Sequence, residues 1–152
     1  TIMIRDDIKA ALIEAMKGGD KPKTATIRLI QAAIKNRDIE ARTGKAPADD
    51  DVLVTEVLQK MVKQRRESIE LYVKGGRQEL ADIEAAEIAV IEIFLPQQMS
   101  EAETRSAIDA IKVELGATSV KDMGRVIATL KERHAANLDM AKASALVKAA
   151  LS

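Results

Sequence analysis

No cysteine and no tryptophan occur in this sequence, and its aromatic side chains are limited to Tyr72 and Phe94. Without thiols there are no disulfides and no thiolate metal ligands. With so few aromatics the core must be aliphatic, assembled from Leu, Ile, Val, Met and Ala, a composition that suits packed helices rather than a sheet. No run approaches the ~18 to 20 apolar residues needed to span a bilayer, so no membrane partner is expected. No charged-then-apolar signal segment opens the chain, which makes a cytosolic protein the expectation. A single histidine, His134, and the absence of a phosphate loop leave no nucleophile with a base and no metal cluster, so the sequence implies neither cofactor nor metal.

Charge is balanced overall, with 24 basic and 24 acidic side chains, which argues against a strong nucleic-acid binder. The distribution is uneven. Residues 1–75 carry 15 basic and 12 acidic groups, residues 76–118 carry 3 and 9, and residues 119–152 carry 6 and 3. An acidic middle block therefore lies between two mildly basic flanks.

The 3.6-residue periodicity and the breakers between periodic segments predict seven helices. The first runs from about Ile4 to Lys17, closed by Gly18-Gly19-Asp20, and the second from about Lys23 to Arg42. The third begins at Asp49 to Asp51, acids suited to the positive end of a helix, and continues to Lys74. Gly75-Gly76 turns the chain back into a fourth helix, from about Gln78 to Phe94, which Pro96 stops. Ser100 and Glu103 form a capping box for the fifth helix, which Gly116 ends. Ser119 and Asp122 start the sixth, which runs to about Arg133, and Asp139 caps an Ala-rich seventh. The fold expected is all-α: an N-terminal four-helix subdomain, residues 1–96, and a three-helix C-terminal subdomain, residues 97–152.

Two faces break their own pattern. Leu58, Met61, Val62, Ile69, Tyr72 and Val73 form one stripe of the third helix with Arg65 near its centre. On the fourth, Leu80, Ile83, Ile88, Ile91 and Phe94 form a face that includes Glu84 and Glu87. A tight turn makes the two helices antiparallel neighbours, so an ion pair from Arg65 to Glu84 or Glu87 resolves the conflict. The alternative is a catalytic or metal-binding carboxylate pair, but helical-bundle metal sites add Glu-x-x-His motifs that are missing here. His134 projects beside Ile127 and Leu130, a packed or dipole-facing position near a helix C-terminus.

Arg28, Lys35 and Arg42 recur every seven residues on the second helix, about 10.5 Å apart at the helical rise. Lys121 and Arg125 share a face of the sixth helix, and Lys131, Arg133, Lys142 and Lys148 add to the positive C-terminal block. Such rows can track phosphates of a folded RNA, although a solvated charged face gives the same pattern and no aromatics interleave for stacking. Gly124, inside the sixth helix, is expected to admit close approach of the seventh.

The order of motifs resembles the GatB/YqeY family, the standalone YqeY proteins whose fold is shared with the tail of the B subunit of tRNA-dependent amidotransferases. The resemblance spans nearly the whole chain. It rests on Arg28-Leu29-Ile30 with Ala33-Ile34-Lys35, on Val62 to Ser68 with Tyr72, on Gly76-Arg77, Glu84 and Glu87, and on Leu95-Pro96-Gln97-Gln98. Asp122-Met123-Gly124-Arg125 and Ser144 with Val147-Lys148 complete it. Where similar proteins often have Gly-Gln, this chain has Ala136-Asn137, with Asn137 expected to take the left-handed conformation.

The resemblance implies a non-catalytic module that helps hold tRNA, with any carbon-nitrogen ligase label belonging to the whole amidotransferase. By analogy with the family the basic C-terminal helices are the RNA-facing part, and the leading reading of the charge pattern takes Arg28, Lys35, Arg42, Lys121, Arg125, Lys131 and Lys148 as phosphate contacts. The partners implied are tRNA and an aminoacyl-tRNA synthetase or amidotransferase. Two alternatives stand beside this: an adaptor docking a basic partner through the acidic middle block, and an enzyme using Glu84 and Glu87.

Overall fold

The computed structural model describes residues 3–152, and among these it is all-helical, with no strand. No helix among the described residues is long and apolar enough to cross a membrane. Four helices, α1 (Ile4–Lys17), α2 (Lys21–Ala41), α3 (Asp50–Lys74) and α4 (Gln78–Glu92), belong to one compact unit that extends through Leu95. Three more, α5 (Glu101–Leu115), α6 (Met123–His134) and α7 (Met140–Leu151), belong to a second unit, Pro96–Ser152.

The ends of the helices follow from local chemistry. Asp49 accepts from the backbone N–H groups of Asp51 and Val52 and starts α3, satisfying donors that have no partner inside the helix. Gly76, at φ 71°, makes the left-handed turn that returns the chain into α4. The Ser100–Glu103 capping box is present at the start of α5, and Asp139 accepts from Ala141 N–H at 2.9 Å at the start of α7. α2 begins two residues earlier than the sequence predicts. Asp20 accepts from Lys23 N–H at 3.1 Å, and Pro22 is tolerated in the first turn because its missing N–H has no intrahelical partner anyway.

The first unit packs Ile8, Ile27, Ile30, Val54, Leu58 and Ile91 with almost no exposed surface. Each such aliphatic side chain is stabilised by roughly 1.5–3 kcal/mol on leaving water. Burial thins along the α3–α4 hairpin, however: no residue of α3 beyond Val62 is buried, and on α4 only Ala81 is buried near the turn. Val73 and Ile83, expected in the interhelical stripe, are 51% and 56% exposed, and Leu71 is 70% exposed. Two helices alone cannot cover both flanks of each other's apolar stripe. Among the described residues one buried hydroxyl, Thr55 Oγ1, has no hydrogen-bond partner.

The second unit is centred on Ile108, Ile111, Val126, Leu130, Ala143 and Val147. Its entry segment is lashed to the turn between α6 and α7. Gln98 Nε2 donates to the carbonyls of Pro96 (2.8 Å) and Ala136 (3.0 Å), Asn137 Nδ2 donates to Gln97 O (2.9 Å), and Met99 N–H donates to Asn137 O (2.8 Å).

Two local expectations fail in this unit. Asn137 has no positive φ and instead closes a single 3-10 turn, Ala135–Asn137; its value here is the side-chain and backbone bonds it makes to the entry segment. Ser119 and Asp122 cap a 3-10 turn, Val120–Asp122, so α6 starts only at Met123. Gly124 consequently falls in the first turn of α6, exposed, and a Cβ built there meets nothing within 4 Å. It serves no close helix approach.

Candidate functional site

The ions interrupting the α3 and α4 stripes meet each other. Arg65 Nε donates to Glu87 Oε2 at 2.7 Å, its Nη1 donates to Met61 O at 3.2 Å, and Glu84 Oε2 lies 3.8 Å from Nε. The three side chains keep 15%, 23% and 22% of their surface in the order Arg65, Glu87, Glu84. The guanidinium is thus hydrogen-bonded to Glu87 and only within ion-pair distance of Glu84. Elsewhere, among the described residues, no three His, Asp or Glu side chains converge into a potential metal site.

A second ion cluster was not anticipated from the sequence. Arg5, in the first turn of α1, donates to both oxygens of Asp38 (2.9 and 3.0 Å) and both of Asp50 (2.8 and 3.2 Å). These bonds, to Asp50 first and Asp38 second, hold the guanidinium above its ordinary pKa, and the Arg5 hydrogen bonds push the Asp38 carboxyl below its own. The cluster ties the start of α1 to the end of α2 and the start of α3. Its one sequence signal is a basic residue where the helix dipole favours an acid.

The surface cations divide sharply. Arg125 is held by Asp122 at 2.7 Å, and Lys121 lies in the preceding 3-10 turn rather than on α6. Arg133 forks onto Glu114 at 2.7 and 2.9 Å, bonds that pull the Glu114 carboxyl below its ordinary pKa. Lys131, Lys142 and Lys148 are exposed. Between α5 and α7 lies a cavity of about 250 Å³ lined by Arg105, Asp109, Lys112, Leu146 and Ala149 among others. Both of its cations are engaged: Arg105 with Glu101, and Lys112 with the carbonyl of Ala150 near the C-terminus of α7.

On α2 the situation is different. Seven of the chain's ten arginines form ion pairs with carboxylates, namely Arg5, Arg65, Arg66, Arg77, Arg105, Arg125 and Arg133. Among the described residues the three without one are Arg28, Arg37 and Arg42, all on α2 or at its C-cap. Arg37 donates to Lys45 O at 3.1 Å, and both Arg37 and Arg42 lie within electrostatic range of Asp38. Arg28 makes a weak hydrogen bond to the sulfur of Met16, at 3.9 Å, and no ion pair among the described residues. Arg28, Lys35 and Arg42 are all exposed.

Comparison with known proteins places this helical chain. A model of the family described as Yqey-like protein matches residues 5–151. The chain belongs to that family. Among curated relatives of this YqeY-like chain, Altered inheritance of mitochondria protein 41, mitochondrial, of Vanderwaltozyma polyspora is 29% identical over 93% of the chain and 79% of the relative. The proteins of the same name in Eremothecium gossypii and Lachancea thermotolerans are 37% and 33% identical over 73% and 72% of the chain. The matches span 60% and 58% of those two relatives' lengths, so the chain accounts for less than two thirds of either.

The names correct one expectation. The expectation of a cytosolic protein is overturned by these relatives, which are named as mitochondrial proteins.

Proposed function

We propose that this YqeY-like chain is a non-catalytic helical module that contacts the phosphate backbone of a folded RNA, in the manner of the amidotransferase tail it resembles, as an accessory to aminoacyl-tRNA metabolism. In this reading the four-helix and three-helix units act as two subdomains, and α2 is the principal contact. The observation that supports it most is the segregation of arginines: among the described residues every other arginine forms an ion pair with a carboxylate, whereas Arg28, Arg37 and Arg42 form none, Asp38 lying only within electrostatic range of the latter two. A guanidinium left without an internal partner is the side chain best shaped to receive phosphate oxygens. Lys121, Lys131 and Lys148 are secondary contacts, and Arg125 contributes less because Asp122 competes for it.

The test is a salt-titrated binding assay against total tRNA. Each phosphate contact contributes about −0.7 to −0.9 to the log-log salt slope, so an R28A/K35A/R42A variant should flatten the slope by about 2 to 3, and K121A/R125A by less. No tRNA binding even at low salt removes the proposal.

An adaptor reading draws on a different observation, the exposed Leu71, Val73 and Ile83 of the α3–α4 hairpin beside Glu67, Glu70 and Asp82. Capture of a synthetase or amidotransferase that survives nuclease treatment, and is lost in an L71S/I83S variant, would favour it.

A further inference from the structure

The α2 row is longer than three cations. Lys21 continues it by one more step of seven, so Lys21, Arg28, Lys35 and Arg42 stand at about 10.5 Å intervals over roughly 31 Å, all exposed. Between them, at the fourth position of each step, are Ala25, Ala32 and Ile39, also exposed. Two of these three are the smallest side chains with a Cβ, so a ligand can lie close to the helix between successive cations. A seven-residue step falls about 20° short of two full turns, so the row winds slowly round α2 instead of running straight.

The start of α2 adds a second observation. α1, α3, α4 and α5 each carry an acid in the first turn, where the helix dipole is positive. α2, like α6 and α7, carries none there; its first turn has Lys21 and Lys23, with the Asp20 carboxylate capping the end. The two lysines add to the positive potential at that end beyond what the Asp20 cap offsets.

The chemistry missing from this face restricts what the anion can be. Single-stranded nucleic acids are held largely by bases stacked on aromatic rings. The chain has two aromatic side chains, both outside α2: Phe94 is buried, and Tyr72 is half-buried on α3. Deepening the RNA reading and resting on it, we propose that α2 selects paired RNA over single strands, with Lys21, Arg28, Lys35 and Arg42 following one phosphate strand of a helix whose bases face each other and require no stacking platform. Shape and charge do the recognising, as expected for duplex RNA.

The experiment compares an RNA hairpin, an oligo(U) single strand of equal length and a DNA duplex, binding to the full chain by fluorescence anisotropy across a salt series. The hairpin should bind at least roughly tenfold more tightly than oligo(U), a difference no larger than one stacked base supplies. K21A should flatten the hairpin's salt slope by about 0.7 to 0.9. A32L, which adds bulk without changing charge, should weaken hairpin binding while the circular dichroism spectrum stays unchanged.

Oligo(U) bound as tightly as the hairpin overturns the duplex preference and leaves the RNA reading standing. The DNA duplex bound more tightly than the hairpin overturns the assignment to RNA. Binding of none of the three overturns both readings. A hairpin affinity that K21A and A32L leave unchanged overturns the placement of the site on α2.

Discussion

Replacing Glu87 by Gln separates scaffold from site at the Arg65 cluster. Glu87 accepts a charge-assisted hydrogen bond at 2.7 Å, while Glu84, at 3.8 Å, lies beyond hydrogen-bond reach. Breaking a fully buried pair costs about 3–5 kcal/mol and an exposed one about 1 kcal/mol or less. These side chains retain about a fifth of their surface, so E87Q should cost about 2 kcal/mol and E84Q less than about 1 kcal/mol. For a cooperative unit of this size, 1 kcal/mol shifts Tm by roughly 4–8 °C, which puts E87Q roughly 8–16 °C below the parent in a calorimetric scan. The double replacement R65M/E87M, which removes both charges at similar volume, should recover most of that loss. An E84Q variant that melts as low as E87Q, or an E87Q variant that melts with the parent, would refute the assignment of Glu87 as the principal partner of Arg65.

Thr55→Val deletes the buried unpartnered hydroxyl at nearly constant volume and should raise unfolding free energy by about 1 kcal/mol in urea titration; a loss of that size would mean the hydroxyl has a partner. Gly124→Ala should stabilise by about 0.5 kcal/mol, because the added Cβ meets nothing and the unfolded chain loses freedom, whereas a close helix contact at this position would make it destabilising. The carboxyls of Asp38, Glu114 and Asp122 are held below their ordinary values, mainly by hydrogen bonds from Arg5, Arg133 and Arg125. A lowered folded pKa stabilises above the unfolded value, about 4, and that stability is lost as pH falls through the lowered one. Thermal melts should therefore hold level from pH 7 to about 5 and drop below about 4; a rise in Tm on acidification would contradict this.

How far the sequence could be read depended on whether the deciding interaction was local. Helix starts at Asp49, Ser100 and Asp139 were legible because a cap and the N–H groups it accepts from lie within three residues of each other. The 3-10 turn at Val120–Asp122 was not, since Ser119 and Asp122 satisfy the same reciprocal pattern in either helix type. Val73 and Ile83 were misplaced because a wheel projection shows which side of a helix is apolar and not where a third helix stops covering it. Arg5 was invisible for a related reason: its partners lie 33 and 45 residues away, on two other helices.

The α2 row shows the same limit from the opposite side. Its spacing was plain in the sequence, yet a row of exposed cations is also what any solvated helix presents. What distinguishes it is the behaviour of the chain's other arginines, which only the tertiary structure reveals. Had the ten arginines been paired at random with respect to position, the unpaired three would have no reason to fall on one helix. Their concentration on α2, beside a first turn with two lysines, sets like charges close together on one helix, a departure from local stability rules. Such departures persist where something outside the fold compensates them. On the RNA reading proposed above, that compensation is a run of phosphates.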